Sequence, residues 1–458
     1  MNVFGYLKEL IKEIKSEKIE VKEAIELFKI LYDKYDNVFL FESMENDNKL
    51  SRYSIIGFDP IAIITAHDSN VTIKLNDDTL NYQSTNPFLD LKELTNNDFD
   101  KKGFCGGLIG YVSYESIKYF EDVPTYKSVY PDFEFGLYLD CIIYDHIHNS
   151  CEYLTVNENR LEQIREMNDK KCQKKTLQYK LIEEDFQEEE YTNAVRKAKE
   201  HITNGDIFQA VISNPQNLYL EGNKITFYEN LREINPSPYM YHIKFNQREI
   251  IGSSPEMLMR LEEDVIETYP IAGTRIRGKT EMEDKQLEKD LLNDEKELAE
   301  HLMLVDLARN DIGRISKTGS VNVDKFNEIK KFSHVQHIVS HVCAKLKEEY
   351  DAIDAFSSLF PAGTLSGAPK IRAMEIINNL EKTARGPYGG AVGYFSLNGD
   401  ADFAITIRTL TTFDNRAEIQ AGAGIVYDSD PEKEYEECRN KRRALLETLK
   451  ISTQEFLK

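Results

Sequence analysis

Strand-like runs recur along this chain at irregular intervals, and helical stretches fall between them. Residues 38–43 (VFLFES) and 51–57 (SRYSIIG) read as strands joined by a polar loop. Residues 61–75 (IAIITAHDSNVTIKL) continue the sheet as a hairpin around Asp68 to Asn70, and 103–115 (GFCGGLIGYVSYE) reads as a glycine-rich strand pair with close backbone approach. In the second half, a helix over 191–204 ends at Gly205 and a strand follows at 207–213. A double-proline turn over 235–240 feeds another strand, and 250–260 reads as a strand broken at Gly252 and Pro255. No regular strand–helix–strand spacing runs through this order, which favours an α+β fold over a doubly wound parallel sheet.

The chain divides into an N-terminal region over 1–155, a charge-dense and apolar-poor connection over 156–190, and a C-terminal region over 191–458. A net charge of -22 argues against nucleic acid or an anionic membrane as the main partner. No apolar run approaches a membrane span, and the first 18 residues read as a mixed-charge helix without a signal-peptide core, so a cytoplasmic location is expected. Six scattered cysteines without a C-x-x-C suggest neither zinc nor a disulfide framework. Cys105 matches G-x-C-x-G, but Ile109 stands where an amidotransferase needs glutamine and no His-x-Glu follows, so a nucleophilic cysteine is not indicated.

Residues 294–314 (DEKELAEHLMLVDLARNDIGR), with Leu291 just before them, carry apolar side chains at 291, 298, 302 and 305, the spacing of an amphipathic helix. Glu297 and Glu300 lie three apart beside that stripe. A second pair, Glu434 and Glu437, opens the C-terminal helix, with Lys441 one turn later. Two such pairs brought together would repel, and a hard divalent cation, Mg2+ above all, would reconcile them.

Residues 360–370 (FPAGTLSGAPK) form a glycine-rich loop entering a helix with Pro369 in its first turn, where free amides and the Thr364 hydroxyl attract an anion. The G-K-[ST] of a nucleotide-binding loop is missing. Residues 421–424 (AGAG) read as a second small-residue turn, a possible anion nest. His334 and His337 lie in an apolar run, where a histidine is either a satisfied core residue or a general base. Arg408 interrupts the strand FAITIRTL and calls for a buried carboxylate partner or a ligand, while Tyr388 sits on a glycine-dense loop.

Taken together and in order, IAGTR, the acidic helix, SHVQHIVS, FPAGTLSGAPK, GPYGGAVGY, AITIRT and AGAGIVYDSDPEKEYEE resemble the chorismate-utilising enzymes, and among them the large component of anthranilate synthase. The resemblance implies two antiparallel sheets packed as a sandwich with helices outside, both halves contributing to one intermingled β-sandwich. It implies Mg2+ held directly by Glu300 and Glu437, with Glu297 and Glu434 linked through water. Tyr388, Arg408 and the amides of Gly422, Ala423 and Gly424 would clamp the enolpyruvyl carboxylate of chorismate. Ala272, Gly273 and Thr274 would line the substrate, and Thr364 and Lys441 would position the ring end. His337 would abstract a proton during pyruvate elimination, and Glu297 would protonate the departing C4 hydroxyl.

Relatives that make aminodeoxychorismate, isochorismate or salicylate resemble P-I-K-G-T at this motif, whereas Ala272 can be neither nucleophile nor base. The resemblance therefore implies ammonia as nucleophile, delivered by a separate glutamine amidotransferase subunit in a hetero-oligomer. Glu42, Ser43, Arg52, Tyr53, Ser54, Asn235, Pro238, Tyr239 and Met240 resemble the family's tryptophan pocket, a site of feedback inhibition. Two alternatives stay open: an aminodeoxychorismate synthase component, and a regulator that binds tryptophan or chorismate without catalysis. Ala308, where the family usually has glycine, and AVISN after Gln209 depart from the pattern without touching the metal or carboxylate groups.

Overall fold

The computed structural model describes residues 3–44, 53–95, 97, 99, 101–170, 176–331 and 335–453. These form two large antiparallel sheets with helices packed against them, as the resemblance implies. The first sheet runs in the order Lys15–Lys18, Ser150–Thr155, Asp140–Asp145, Tyr53–Phe58, Asn37–Glu42, Tyr239–Phe245, Arg248–Ser254, Thr409–Phe413, Arg416–Ile425, Gln209–Gly222 and Leu177–Glu184. The second runs Ile271–Ile276, Val335–Lys345, Val265–Thr268, Met257–Glu262, Ala401–Ile405, Ala391–Ser396, Gly107–Val112, Phe133–Tyr138, Ala62–His67, Asn70–Leu75 and Asp78–Gln83, with Asn322–Lys331 pairing the strand Val335–Lys345.

Each sheet joins an N-terminal block of strands to a C-terminal block through one strand pair. Phe41 faces Tyr241 in the first sheet, and Gly110 faces Gly393 in the second. Apolar side chains of both sheets, among them Phe39, Tyr241, Phe135, Phe395 and Phe403, meet in one buried core. That core leaves neither half able to bury its strands alone.

Several local expectations need adjustment. The N-terminal stretch is helical only over Val3–Glu9, and Lys15–Lys18 is an edge strand. The hairpin at Asp68 and Ser69 is present, both residues at positive φ as a type I′ turn requires, but it lies in the second sheet, which the chain enters after Phe58. The glycine-rich stretch holds one strand, Gly107–Val112, and then a 3-10 turn. The expected connection over 156–190 carries the helix Leu161–Asn168 and the strand Leu177–Glu184.

The feature that positions the site is a paired change of sheet. Arg248–Ser254 and Thr409–Phe413 are neighbours in the first sheet, and their continuations Met257–Glu262 and Ala401–Ile405 are neighbours in the second. The break falls at Pro255 and Glu256, not at Gly252, which stays inside its strand. The two bends lie side by side, held by the Ile405 amide donating to the Glu256 carbonyl (3.0 Å) and the Ser253 amide donating to the Arg408 carbonyl (3.2 Å).

Candidate active site

The acidic helix spans Glu295–Gly313, and the Asp294 side chain caps it by accepting from the amides of Lys296 (3.1 Å) and Glu297 (3.2 Å). Its buried face is His301, Leu304, Val305 and Ile312, whereas Leu302, expected on the stripe, is 48 % exposed. A buried bond between His301 Nε2 and Ser340 Oγ (2.7 Å) turns the helix this way. Glu297 and Glu300 lie one turn before His301 and Leu304 on the same line, so they enter the cleft rather than flank it.

The C-terminal helix, Pro431–Ser452, brings Glu434 and Glu437 to the same place. Burial raises the Glu300 pKa, and the charges of Glu297 and Glu437 raise it further. Burial and the charge of Glu437 also push Glu434 upward. No three of these carboxylates have oxygens within 4.8 Å of one another. Cations hold the outer members apart: Arg275 reaches Glu297 at 3.1 Å and Asp294 at 2.7 Å, and Lys441 reaches Glu437 at 2.7 Å. Four converging carboxylates are a donor set suited to a hard divalent ion and its water.

The Ile271–Ile276 strand pairs with Val335–Lys345, with a bulge between Ala272 and Arg275. Gly273 has φ +65°, and a Cβ there would stand 3.1 Å from Glu297 Oε2, so the bulge requires glycine. Its carbonyl is 2.7 Å from His337 Nδ1, with Thr274 Oγ1 at 3.2 Å. A carbonyl only accepts, so Nδ1 carries the proton and Nε2 the lone pair. Burial lowers the His337 pKa from its ordinary 6.5, and the Arg408 charge adds to this. Ala272 is buried against its strand neighbour Ile338. His334 and Arg52 lie outside the described residues.

Arg408 is not inside a strand. It occupies the sheet-to-sheet bend at φ +51°, a sparsely populated conformation for arginine. The expected buried carboxylate partner is also missing: among the described residues none lies within ion-pair distance. Burial lowers the Arg408 pKa, while Tyr388 and Glu437 oppose this from farther away. Residues 421–424 are likewise not a turn but part of the strand Arg416–Ile425. Its ladder with Thr409–Phe413 extends only to Leu410 and Ile419, so the edge beside Gly422 and Gly424 opens where the chain turns away at Arg408.

Lys441 Nζ donates to the Gly422 carbonyl (2.9 Å), placing the peptide edges of Gly422 and, two residues on, Gly424 on that open side. Ala423 faces Ile212 in the ladder, so its amide is turned away from the cleft. A Cβ on Gly422 would meet the Tyr388 hydroxyl at 3.1 Å, which sets Tyr388 beside the same edge. A guanidinium unpaired among the described residues, the Gly422 and Gly424 amides and a phenol are suited to hold a carboxylate.

Sequence reasoning missed Glu256. It sits at the second bend, buried, and accepts a hydrogen bond from Thr364 Oγ1 (2.8 Å). Burial raises its pKa to about 7, against the weaker opposing effects of Thr364 and Lys441. Thr364 thus serves this carboxylate, in a 3-10 turn before a helix that starts at Lys370 with Pro369 as its cap rather than in its first turn. The signal available in the sequence was the S-P-E triplet at a strand break. Arg275 was also missed, although the bulge one residue earlier was readable as I-A-G-T.

A cavity of about 500 Å³ is lined by Glu42, Ser43, Tyr53, Pro238, Tyr239 and Met240, together with Arg260 and Asp402. The Glu42 carboxylate accepts from Tyr228 (2.8 Å) and pairs with Arg232 (2.8 Å). Ser54 does not line the cavity but donates to Glu42 (3.4 Å), and Asn235 turns to Ser253 Oγ (2.8 Å). Tyr239 donates to Asp402, which also pairs with Arg260. Among the described residues, no helix is long and apolar enough to cross a membrane.

Residues 36–447 match the pattern of the chorismate binding enzymes. Anthranilate synthase component 1 of Methanothermobacter marburgensis is 52 % identical over 452 residues, covering 99 % of this chain and 98 % of that protein. The protein of the same name from Bacillus subtilis is 40 % identical, covering 91 % of this chain and 88 % of its own length. Among solved structures, anthranilate synthase component I of Streptococcus pneumoniae superposes with a TM-score of 0.75 at 37 % identity, over 86 % of this chain and 92 % of that one. The menaquinone-specific isochorismate synthase of Escherichia coli shares the fold, with a TM-score of 0.73 at 19 % identity over 97 % of this chain and 98 % of its own. By this match and these relatives, the chain belongs to the chorismate binding enzyme family, on the anthranilate synthase component 1 branch.

Proposed function

We propose that this chain converts chorismate and ammonia to anthranilate and pyruvate in the cytoplasm, in a Mg2+-dependent reaction. In this reading a separate glutamine amidotransferase subunit supplies the ammonia within a hetero-oligomer, and tryptophan inhibits by filling the 500 Å³ cavity. The observation that carries the reading is Arg408, a buried cation with no ion-pair partner among the described residues, beside the peptide edges of Gly422 and Gly424 and within electrostatic reach of Glu437, one of the four carboxylates. Such a site is incomplete without a small dianion that can meet a cation at each end.

Arg408, Tyr388 and the Gly422 and Gly424 amides hold the enolpyruvyl carboxylate. Glu300 and Glu437 would hold Mg2+ directly, with Glu297 and Glu434 through water, and the ion supplies positive charge to the ring carboxylate. Ala272 offers no amine, so ammonia attacks C2 as the C4 hydroxyl departs as water. The proton for that water comes from Glu256 in our reading, rather than from Glu297. Glu297 is engaged with Arg275, whereas Glu256 is held near half-protonation at neutral pH by its burial. His337 Nε2 then takes the C2 proton while the C3–O bond breaks, releasing pyruvate and leaving an aromatic ring.

The test uses the purified chain with chorismate, Mg2+ and an ammonium salt, following anthranilate fluorescence with and without tryptophan. Anthranilate formed from ammonium but not from glutamine, and suppressed by tryptophan, is the expected result. Release of an aminated or hydroxylated chorismate without anthranilate would overturn the reaction assignment. Unchanged turnover with saturating tryptophan would overturn the role of the cavity.

A further inference from the structure

The geometry points to a second metal site, for a Zn2+-class cation, built from Asp324, His341 and Cys343. Their ligand atoms all lie within 4.8 Å of one another. His341 and Cys343 are two apart on the strand Val335–Lys345 and share one face. Asp324 belongs to the neighbouring strand Asn322–Lys331, where the register with that strand shifts between Val323 and Lys325. That bulge falls on Asp324 and aims its carboxylate across both partners.

The distances suit one tetrahedral ion. Asp324 Oδ2 is 3.5 Å from Cys343 Sγ and 3.8 Å from His341 Nδ1. Bond lengths of about 2.3 Å to sulfur and about 2.0 Å to nitrogen and oxygen put tetrahedral ligands roughly 3.5 and 3.3 Å apart. The imidazole is already oriented for the task. Its Nε2 stands 2.8 Å from Glu267 Oε2, and because a carboxylate accepts, the proton lies there and Nδ1 keeps its lone pair toward Asp324 and Cys343. Tyr269 stacks on the ring with centroids 4.5 Å apart, fixing its plane. The second oxygen of Asp324 accepts from the Asn322 amide.

A cation there would bind Cys343 as the thiolate. It would also pin the edge strand Asn322–Lys331 to the strand that carries His337. Three ligands leave a fourth position for water. Residues two apart on one strand and one on another escape any C-x-x-C search, which is why composition gave no sign of them.

The test titrates the full, chelator-stripped chain with Co2+ in excess Mg2+. One Co2+ per chain with thiolate-to-cobalt charge-transfer absorption in the near ultraviolet is expected, a signature that oxygen-only glutamates cannot give. Cys343→Ser should abolish the band, and Glu267→Gln should weaken Co2+ binding about 10–100-fold, both keeping ammonia-dependent turnover. Where Cys343→Ser does not fold, His341→Ala gives the same comparison. No charge-transfer band at one equivalent, or a band that survives in Cys343→Ser, would overturn the site.

Discussion

Glu256→Gln separates stability from catalysis at one position. The carboxyl is buried and hydrogen-bonded by Thr364, with Lys441 the charged group that acts on it, and its pKa stands at about 7 against an ordinary 4.5. Below about pH 4.5 folded and unfolded chains both hold the proton, so burial of the group costs nothing electrostatic. Between 4.5 and 7 the unfolded chain releases a proton that the folded chain retains, and stability falls. Above 7 the full difference applies, about 3 kcal/mol. Glutamine keeps an acceptor for Thr364 and removes the charge. The variant should therefore melt about 3 °C above the parent at pH 8.5 and within about 1 °C of it at pH 5. Its rate of anthranilate formation should drop about 10²–10⁴-fold, the usual contribution of a positioned acid. Thermal melts at the two pH values and fluorescence assays are sufficient. An equal melting difference at both pH values would mean that Glu256 is not held neutral, and near-parental turnover would remove it from the reaction.

Arg408→Met should raise the KM for chorismate about 100-fold or more while leaving the melting temperature of the ligand-free chain unchanged or higher, because no carboxylate is left unpaired by the change; a lower melting temperature would reveal a structural partner. His337→Ala should let an aminated intermediate accumulate, visible by chromatography, and anthranilate at the parental rate would acquit the imidazole. In the parent, pyruvate elimination should fall as pH drops through the His337 pKa, below 6.5, since only the neutral ring is a base. Ser43→Leu, at the cavity wall, should weaken tryptophan inhibition at least about tenfold with the uninhibited rate retained, measured by dose–response.

The strands were readable because apolar alternation and turn residues are local, and the two acidic pairs because helical spacing is fixed by geometry. Less legible was anything set by which sheet a strand joins. The sequence FAITIRTL gives Arg408 the look of a strand residue, and only the bend between sheets shows why it is unpaired. The same bend hides Glu256, whose neighbours Thr364 and Lys441 are over 100 residues away in the chain. Residues 421–424 read as a turn because glycine and alanine suit turns, yet they also suit a strand whose faces are crowded by Tyr388 and Gln209. The face of the acidic helix was misjudged at Leu302 because a buried histidine, not a leucine, determines it. Of the nine residues expected at the tryptophan pocket, six line the cavity, and they come from short motifs at strand ends, where the chain already marks its corners.

The two strands that change sheets together also run past the cavity. Ala404 is in the cavity wall, and the amide of the next residue, Ile405, grips the carbonyl of Glu256. Arg408 follows three residues later, in the bend where the chain leaves that strand. A molecule that presses on Ala404 therefore pushes one end of a short, stiff lever whose other end holds Glu256 and carries Arg408. Only the short bend over 406–408 lies between them to absorb the displacement, so the message needs no domain motion and should be as fast as side-chain packing allows.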